Sequence, residues 1–300
     1  MRVRFVAVLT TGILVASNAC PGQREQAVLK TQRLRTTIEY GVVRVGRHTI
    51  EELKPGATWR MGFNTASTLV TEAPILGKGG ALVLPGGYRV LVHRSKADVF
   101  ALSVVGAGWS VDPTNRAASA VVLAGALAKT SPNKKLSVKL ARSKQEAVAK
   151  VHFGPHRLEI PFAVIPARTK KTSGWTVDVF SVPSGVWAAR EKAGSTIPIA
   201  RLTKGRGRKA RALNLTLVGD QAFCAPALVA PTASFGFGDP EIPKAEAVAV
   251  GQVSWRDGQS DCATVELKKV GIKNGAVVLD VTVGHRAGRI EVRIPAARGR

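Results

Sequence analysis

The chain has 300 residues, 45% hydrophobic and 21% charged, which is enough to bury a core and too apolar for a disordered polymer. Thirty glycines and 16 prolines make it turn-rich, without the period of collagen or a low-complexity tract. Its 44 Lys and Arg against 20 Asp and Glu give a formal charge of +24, a field that draws anions at long range.

The chain opens with a basic Met1-Arg-Val-Arg4, an apolar stretch from Phe5 to Ala16, and small residues at Ser17 and Ala19 before Cys20. This reads as an export signal over 1–19, its apolar stretch too short to span a bilayer. Cleavage after Ala19 would leave Cys20 as the new N-terminus. That resembles a bacterial lipoprotein, in which this cysteine is acylated and tethers the chain to a membrane. The pattern departs at Ser17, where an aliphatic residue is usual. Ordinary cleavage suits Ser17 and Ala19 equally well and would release a soluble periplasmic or secreted chain. Residues 20–34 read as an N-terminal tether, with Gln26 to Arg33 as tether or short helix.

From Thr36 onward the chain reads as strands: Thr36–Val45, Ala81–Leu84, Tyr88–His93, Val99–Val105, Lys135–Leu140, Val148–Phe153 and Arg157–Phe162. Further strands follow at Trp175–Val182, Ala212–Val218, Val248–Trp255, Ala263–Val270, Ala276–Val283 and Arg289–Ile294. Each is short and bounded by turn residues, the pattern of sandwiches or barrels. Ala117–Lys129 is ambiguous: alanine favours helix, whereas Ser119–Leu123 suits a strand and Gly125 weakens a helix by roughly 1 kcal/mol. The expected fold is mainly β. An antiparallel, sandwich-like domain covers 35–165, a polar linker 166–174, and a second, mostly β domain 175–300.

Four segments occur in order: Thr37-Ile-Glu-Tyr40, Trp59-Arg-Met-Gly-Phe-Asn64 with the following Ala66-Ser-Thr68, Leu84-Pro-Gly-Gly-Tyr-Arg-Val90, and His152 to Pro161. Over about 33–164 they resemble a bacterial family of exported proteins known only as domain of unknown function 2911. The matching positions are Trp59, Arg60, Gly62 and Asn64 in a Trp-Arg-x-Gly-x-Asn element, then Pro85, Gly87 and Tyr88 in a hairpin, with Tyr88 one place early. Gly154, Arg157 and Pro161 fit a closing hairpin in which Phe153 replaces tryptophan. The resemblance implies a compact, mostly antiparallel β domain with these residues as structural positions. It places Ala117–Lys129 in a strand and implies no activity. Read by themselves, Trp59 and Arg60 form a cation–π or stacked pair, and Asn64 bonds backbone at a turn. A small polar recognition site is the functional alternative.

Cys224 and Cys262 are the natural disulfide partners, closing a loop of about 39 residues worth roughly 3–4 kcal/mol; two buried free thiols are the alternative. Neither cysteine has zinc-ligand spacing. Of the five histidines, His152 and His156 are four apart, but Gly154-Pro155 breaks a helix between them and no third ligand is local. No metal or cofactor is expected. There is no Gly-x-Ser-x-Gly elbow, and Ser131-Pro-Asn-Lys134 matches Ser-x-x-Lys only in letters, since Pro132 and Asn133 mark a turn. Glu51 and Glu52 on a strand would face opposite ways. Asp257–Asp261 and Asp239-Pro-Glu241 read as solvated tips.

Removing Arg2 and Arg4 leaves +22, spread over both halves. The densest patch is Lys204-Gly-Arg-Gly-Arg-Lys-Ala-Arg211, which makes Lys204, Arg206, Arg208, Lys209 and Arg211 the anion-binding candidates. Lys134-Lys135 and Lys170-Lys171 are smaller pairs. Outside the cytoplasm the fitting partners are anionic lipid, lipopolysaccharide or acidic polysaccharide. Aromatic residues are 5% of the chain and none accompanies the basic loop, which weighs against nucleic acid. The plain alternative is charge that serves solubility.

The expected protein is exported to the periplasm or the outer membrane or cell surface, non-catalytic, and without a spanning helix in the mature chain. One rival is a hydrolase of envelope material, which needs His93, His152 or His156 beside a carboxylate in a pocket. The other is a structural subunit, which would expose an apolar face.

Overall fold

A computed structural model describes residues 24–46, 49–59, 61–62, 67–96, 99–106, 120–143, 146–205, 210–227, 248–273 and 276–294. The export signal and Cys20 lie outside the described residues, as do Arg60, Asn64, Arg206, Arg208 and Lys209. Ten strands build the first sheet: β1 Arg24–Thr31, β2 Leu34–Gly41, β3 Thr58–Trp59, β4 Ser67–Thr71, β5 Ile75–Gly77, β6 Leu82–Val83, β7 Gly86–Lys96, β8 Val99–Gly106, β9 Ala120–Ser143 and β10 Glu146–Val164. They lie in the order β1-β2-β4-β7-β8-β9-β10-β5-β6, all antiparallel neighbours, with β3 paired to β7 off this path.

The 24-residue β9 makes this sheet curl. Its first part pairs with β8, from Ala120 to Gly125. Its later part returns to the chain beyond β2: Val45 N–H donates to Lys134 O (3.0 Å) and Leu136 N–H to Val43 O (2.8 Å). One face therefore turns inward, and Ile38, Leu69, Val90, Leu102, Leu123 and Ile160 from six strands meet in a single core. Alternation of buried and half-buried residues along β10 is the expected mark of a strand with one inner face.

The second sheet runs in chain order: β11 Ala167–Thr172, β12 Trp175–Phe180, β13 Ile197–Lys204, β14 Arg211–Val218, β15 Gln221–Pro226, β16 Val248–Lys273 and β17 Ala276–Arg293. Helix α1, Ser184–Lys192, follows β12 and buries Trp187 edge-on against Trp255, with centroids 5.9 Å apart. Beyond β12, Val182 O accepts from Val265 N–H at 2.9 Å, so β16 bends back toward the start of its own sheet.

The two sheets share buried surface. Leu34, Ala73, Leu82 and Leu84 of the first half belong to the core of the second. Between the halves, Arg201 Nη2 lies 3.1 Å from Glu72 Oε1, and Arg33 Nε lies 3.4 Å from the fully buried Asp178. Asn214 Nδ2 donates to the carbonyl of Pro85 at 3.2 Å. Burial pushes the Arg201 guanidinium below its ordinary range, and Glu72 and Asp178 oppose that shift.

Several expectations need correction. The tether is largely strand β1, whose Arg24 and Gln26 side chains bond Glu39 across the β1–β2 pair. The segment 166–174 is an edge strand rather than a linker: β11 hydrogen-bonds β12, and Ser173 and Gly174 make the turn with φ of 47° and 76°. Leu84–Val90 is a passage from β6 to β7, which are not paired. His152–Pro161 is part of one continuous strand, β10, rather than a hairpin. From Ala120 the alanine-rich segment is strand, as the resemblance implied.

Candidate anion-binding end and an aromatic groove

Register gathers the basic residues of the second sheet at one end. Trp175 on β12 stands opposite Lys204 on β13, and Lys204 opposite Arg211 on β14. Side chains directly opposite share a face. Lys204 Nζ lies 5.7 Å and the Arg211 guanidinium 5.9 Å from the centroid of the buried Trp175 ring. The neighbouring β11 adds Arg168, Lys170 and Lys171, all exposed. Between them, the sequence spans 167–177 and 202–219 hold these five residues with Arg206, Arg208 and Lys209, and no acid. Of the sequence candidates, the structure brings Lys204 and Arg211 together. The other three occupy the connection between them, outside the described residues.

The first sheet carries a separate, open groove of about 340 Å³. Its floor is Trp59 against Phe153, centroids 5.0 Å apart and planes inclined by 35°. Phe153 is thus a ring partner of Trp59, while the expected partner Arg60 lies outside the described residues. A 3-10 turn at Ile50–Glu52 and the segment to Ala57 form the wall. Arg94 fastens that wall: its Nη1 donates to the carbonyls of Glu51 (2.8 Å) and Leu53 (2.7 Å), and its backbone bonds Gly56 and Ala57. Its guanidinium also lies over Phe100 at 5.1 Å.

Two glycines singled out from the sequence, Gly62 and Gly154, lie close in the chain to Trp59 and Phe153. Gly62 has φ of 114°, and a Cβ there would sit 2.9 Å from the Gly41 nitrogen, so this close approach requires that Gly62 carry no side chain. Gly154 has φ of 64° and marks a bulge, with register shifts on both sides; bulges re-aim side chains, and here the neighbour is Phe153. The other residues singled out with them hold the frame. Gly87 pairs with Val70, Tyr88 Oη donates to Leu84 O (2.7 Å), and Arg157 Nε lies 2.8 Å from Glu159 without hydrogen-bond alignment. Pro161 sits within β10.

His156 Nε2 is 2.9 Å from Glu51 Oε2, the pairing a hydrolase reading asks for. The contact is not aligned as a hydrogen bond, and both ring nitrogens are shut off from solvent. Glu51 and Glu52 lie on the 3-10 turn rather than a strand, and Glu52 accepts from Thr49 N–H at 3.4 Å. His152 Nε2 contacts Ser131 O at 3.1 Å within the long β9–β10 pair. Among the described residues no group of three or more His, Cys, Asp or Glu could hold a metal, and no helix is long and apolar enough to cross a membrane.

The expected disulfide is not formed at Cys224, which is a free, buried thiol. Cys224 pairs with Val248 at the start of β16, whereas Cys262 lies far along that strand, opposite Gly284 on β17. Burial pushes the thiol up to about 12, against the opposing pull of Arg211. Asp257, read as part of a tip, is inside β16 opposite Arg286, and Asp239-Pro-Glu241 lies outside the described residues.

Sequence reasoning located the basic run but missed its platform. Trp175 lies 29 positions before Lys204, and only the register of three strands joins them. Arg94 carried no local signal, because its partners come from a turn some forty positions earlier. Compared with protein-family models, curated proteins and solved structures, the chain matches none.

Proposed function

We propose that this is an exported, non-catalytic protein of the cell envelope that contacts anionic polymers through the basic end of its second sheet. The observation that carries the reading is Lys204 and Arg211 side by side over Trp175, with Lys170 and Lys171 on the adjoining hairpin. Strands β11, β13 and β14 supply the cations at this end, and the acid of β12, Asp178, is fully buried, so the exposed groups are of one sign. Such a surface fits repeated phosphate, sulfate or carboxylate groups, and lipopolysaccharide or acidic polysaccharide offers them outside the cytoplasm. The basic N-terminal start, the apolar stretch after it and Cys20 support export, with acylation at Cys20 as the route to a membrane.

The test is co-sedimentation with lipopolysaccharide-containing and with zwitterionic vesicles. A variant with Lys204, Arg206, Arg208, Lys209 and Arg211 changed to Gln should lose most binding to the first and leave the second unchanged. Equal binding by both proteins to both vesicles would refute the reading.

A further inference from the structure

We infer that the groove beside Trp59 is a binding site for a neutral sugar ring. Its floor is the half-buried ring of Trp59, backed by the buried Phe153 ring 5.0 Å away. A pyranose has apolar C–H faces and a rim of hydroxyls, so it suits an aromatic floor under a polar edge. Thr49, Thr58, Glu52 and Lys54 stand among the residues that border the groove, whose surface is mostly apolar, and Glu52 accepts from Thr49 N–H. One acid and one base leave the edge neutral in a chain of net +24, which sets this site apart from the basic end.

The volume, about 340 Å³, lies at the small end of ligand pockets and suits one or two rings rather than an extended polymer.

The site is also built in advance. Strand β3 contributes only Thr58 and Trp59 and pairs with β7 outside the sheet's main order, so presenting Trp59 is its evident effect. Arg94 ties the facing wall, and the bulge at Gly154 sets the direction of Phe153. A wall held before binding avoids the ordering cost that weakens small-ligand association.

The experiment is calorimetric titration of the full chain with cellotetraose and with chitotetraose, alongside decanoate and heparin. At least one of the two sugars should saturate one site with a dissociation constant on the order of 0.1–1 mM. Trp59→Ala should weaken it at least tenfold, Trp59→Phe only a few fold. Ala57→Phe, which fills the groove without removing its floor, should abolish it in a protein with unchanged circular dichroism. Changing Lys204 and Arg211 to Gln should leave sugar binding intact, so this site can fail while the basic end holds, and the reverse. No saturable binding of either sugar, undiminished binding by Ala57→Phe, or decanoate alone occupying the groove would overturn the inference.

Discussion

Lys204 and Arg211 stand directly opposite one another on β13 and β14, and both carry their charge over the ring of Trp175. Like charges in this position destabilise a sheet by roughly 0.2–1 kcal/mol, while each cation–π contact returns about 0.5–1 kcal/mol. The two ring contacts together offset the repulsion, and an anion between the two charges would remove what remains of it. Heparin should therefore raise the unfolding temperature of the wild-type chain and raise that of the Lys204→Gln/Arg211→Gln variant much less. Equal rises in both would place the anion elsewhere.

Arg201 is buried, and its Nη2 lies 3.1 Å from Glu72 across the junction of the two sheets. Removing Glu72 leaves Asp178 acting on the buried Arg201 charge, and the lost contact costs about 1–3 kcal/mol. Glu72→Ala should lower the urea-unfolding free energy by that amount. A loss under about 1 kcal/mol would mean that the junction does not depend on this contact.

Cys224 is predicted to resist alkylation in the native chain at neutral pH and to react once the chain unfolds. Its folded value, about 12, is raised above the ordinary 9.0, so its contribution to stability is present below pH 9 and is lost as pH rises toward 12. Denaturation measured across that window should show a falling stability that Cys224→Ala flattens. Rapid native labelling would contradict the burial.

Gly62→Ala tests the close approach to Gly41. The backbone conformation alone costs a side chain about 1–3 kcal/mol, and the Cβ contact at 2.9 Å with the Gly41 nitrogen adds to it. Thermal unfolding should fall by several degrees, and sugar binding at Trp59 should weaken with it. An unchanged melting temperature would mean that the chain has room to move there.

Export predicts that the mature chain isolated from its native host begins at Cys20, with a mass increase corresponding to acylation if the lipoprotein route is used. Intact mass spectrometry reads this directly. A chain that retains Met1 would contradict export.

The fold class was legible because alternation and turn residues are local signals. Trp175–Val182 and Ala212–Val218 fall on strands β12 and β14 for that reason. Strand length was not legible. Gly154-Pro155 reads as a turn, yet β10 runs through it on a bulge, because pairing with β9 continues on both sides. Helix α1 was missed because Gly185, Val186 and Trp187 offer weak helix propensity; packing of Trp187 on Trp255 holds it instead. Strand β13 was missed because Pro198 breaks its pattern, which the register shift at Pro198/Ala200 absorbs. The candidate site divides the same way. The basic residues are adjacent in sequence, while their aromatic platform and the Arg94-tied groove exist only through pairing between distant strands.

The most direct test of the basic end is the salt dependence of heparin affinity, measured for the wild-type chain and the Lys204→Gln/Arg211→Gln variant. Two lost anion contacts should lower affinity and reduce the slope of log K against log salt by about 2. Identical slopes for the two proteins would contradict the assignment of this surface.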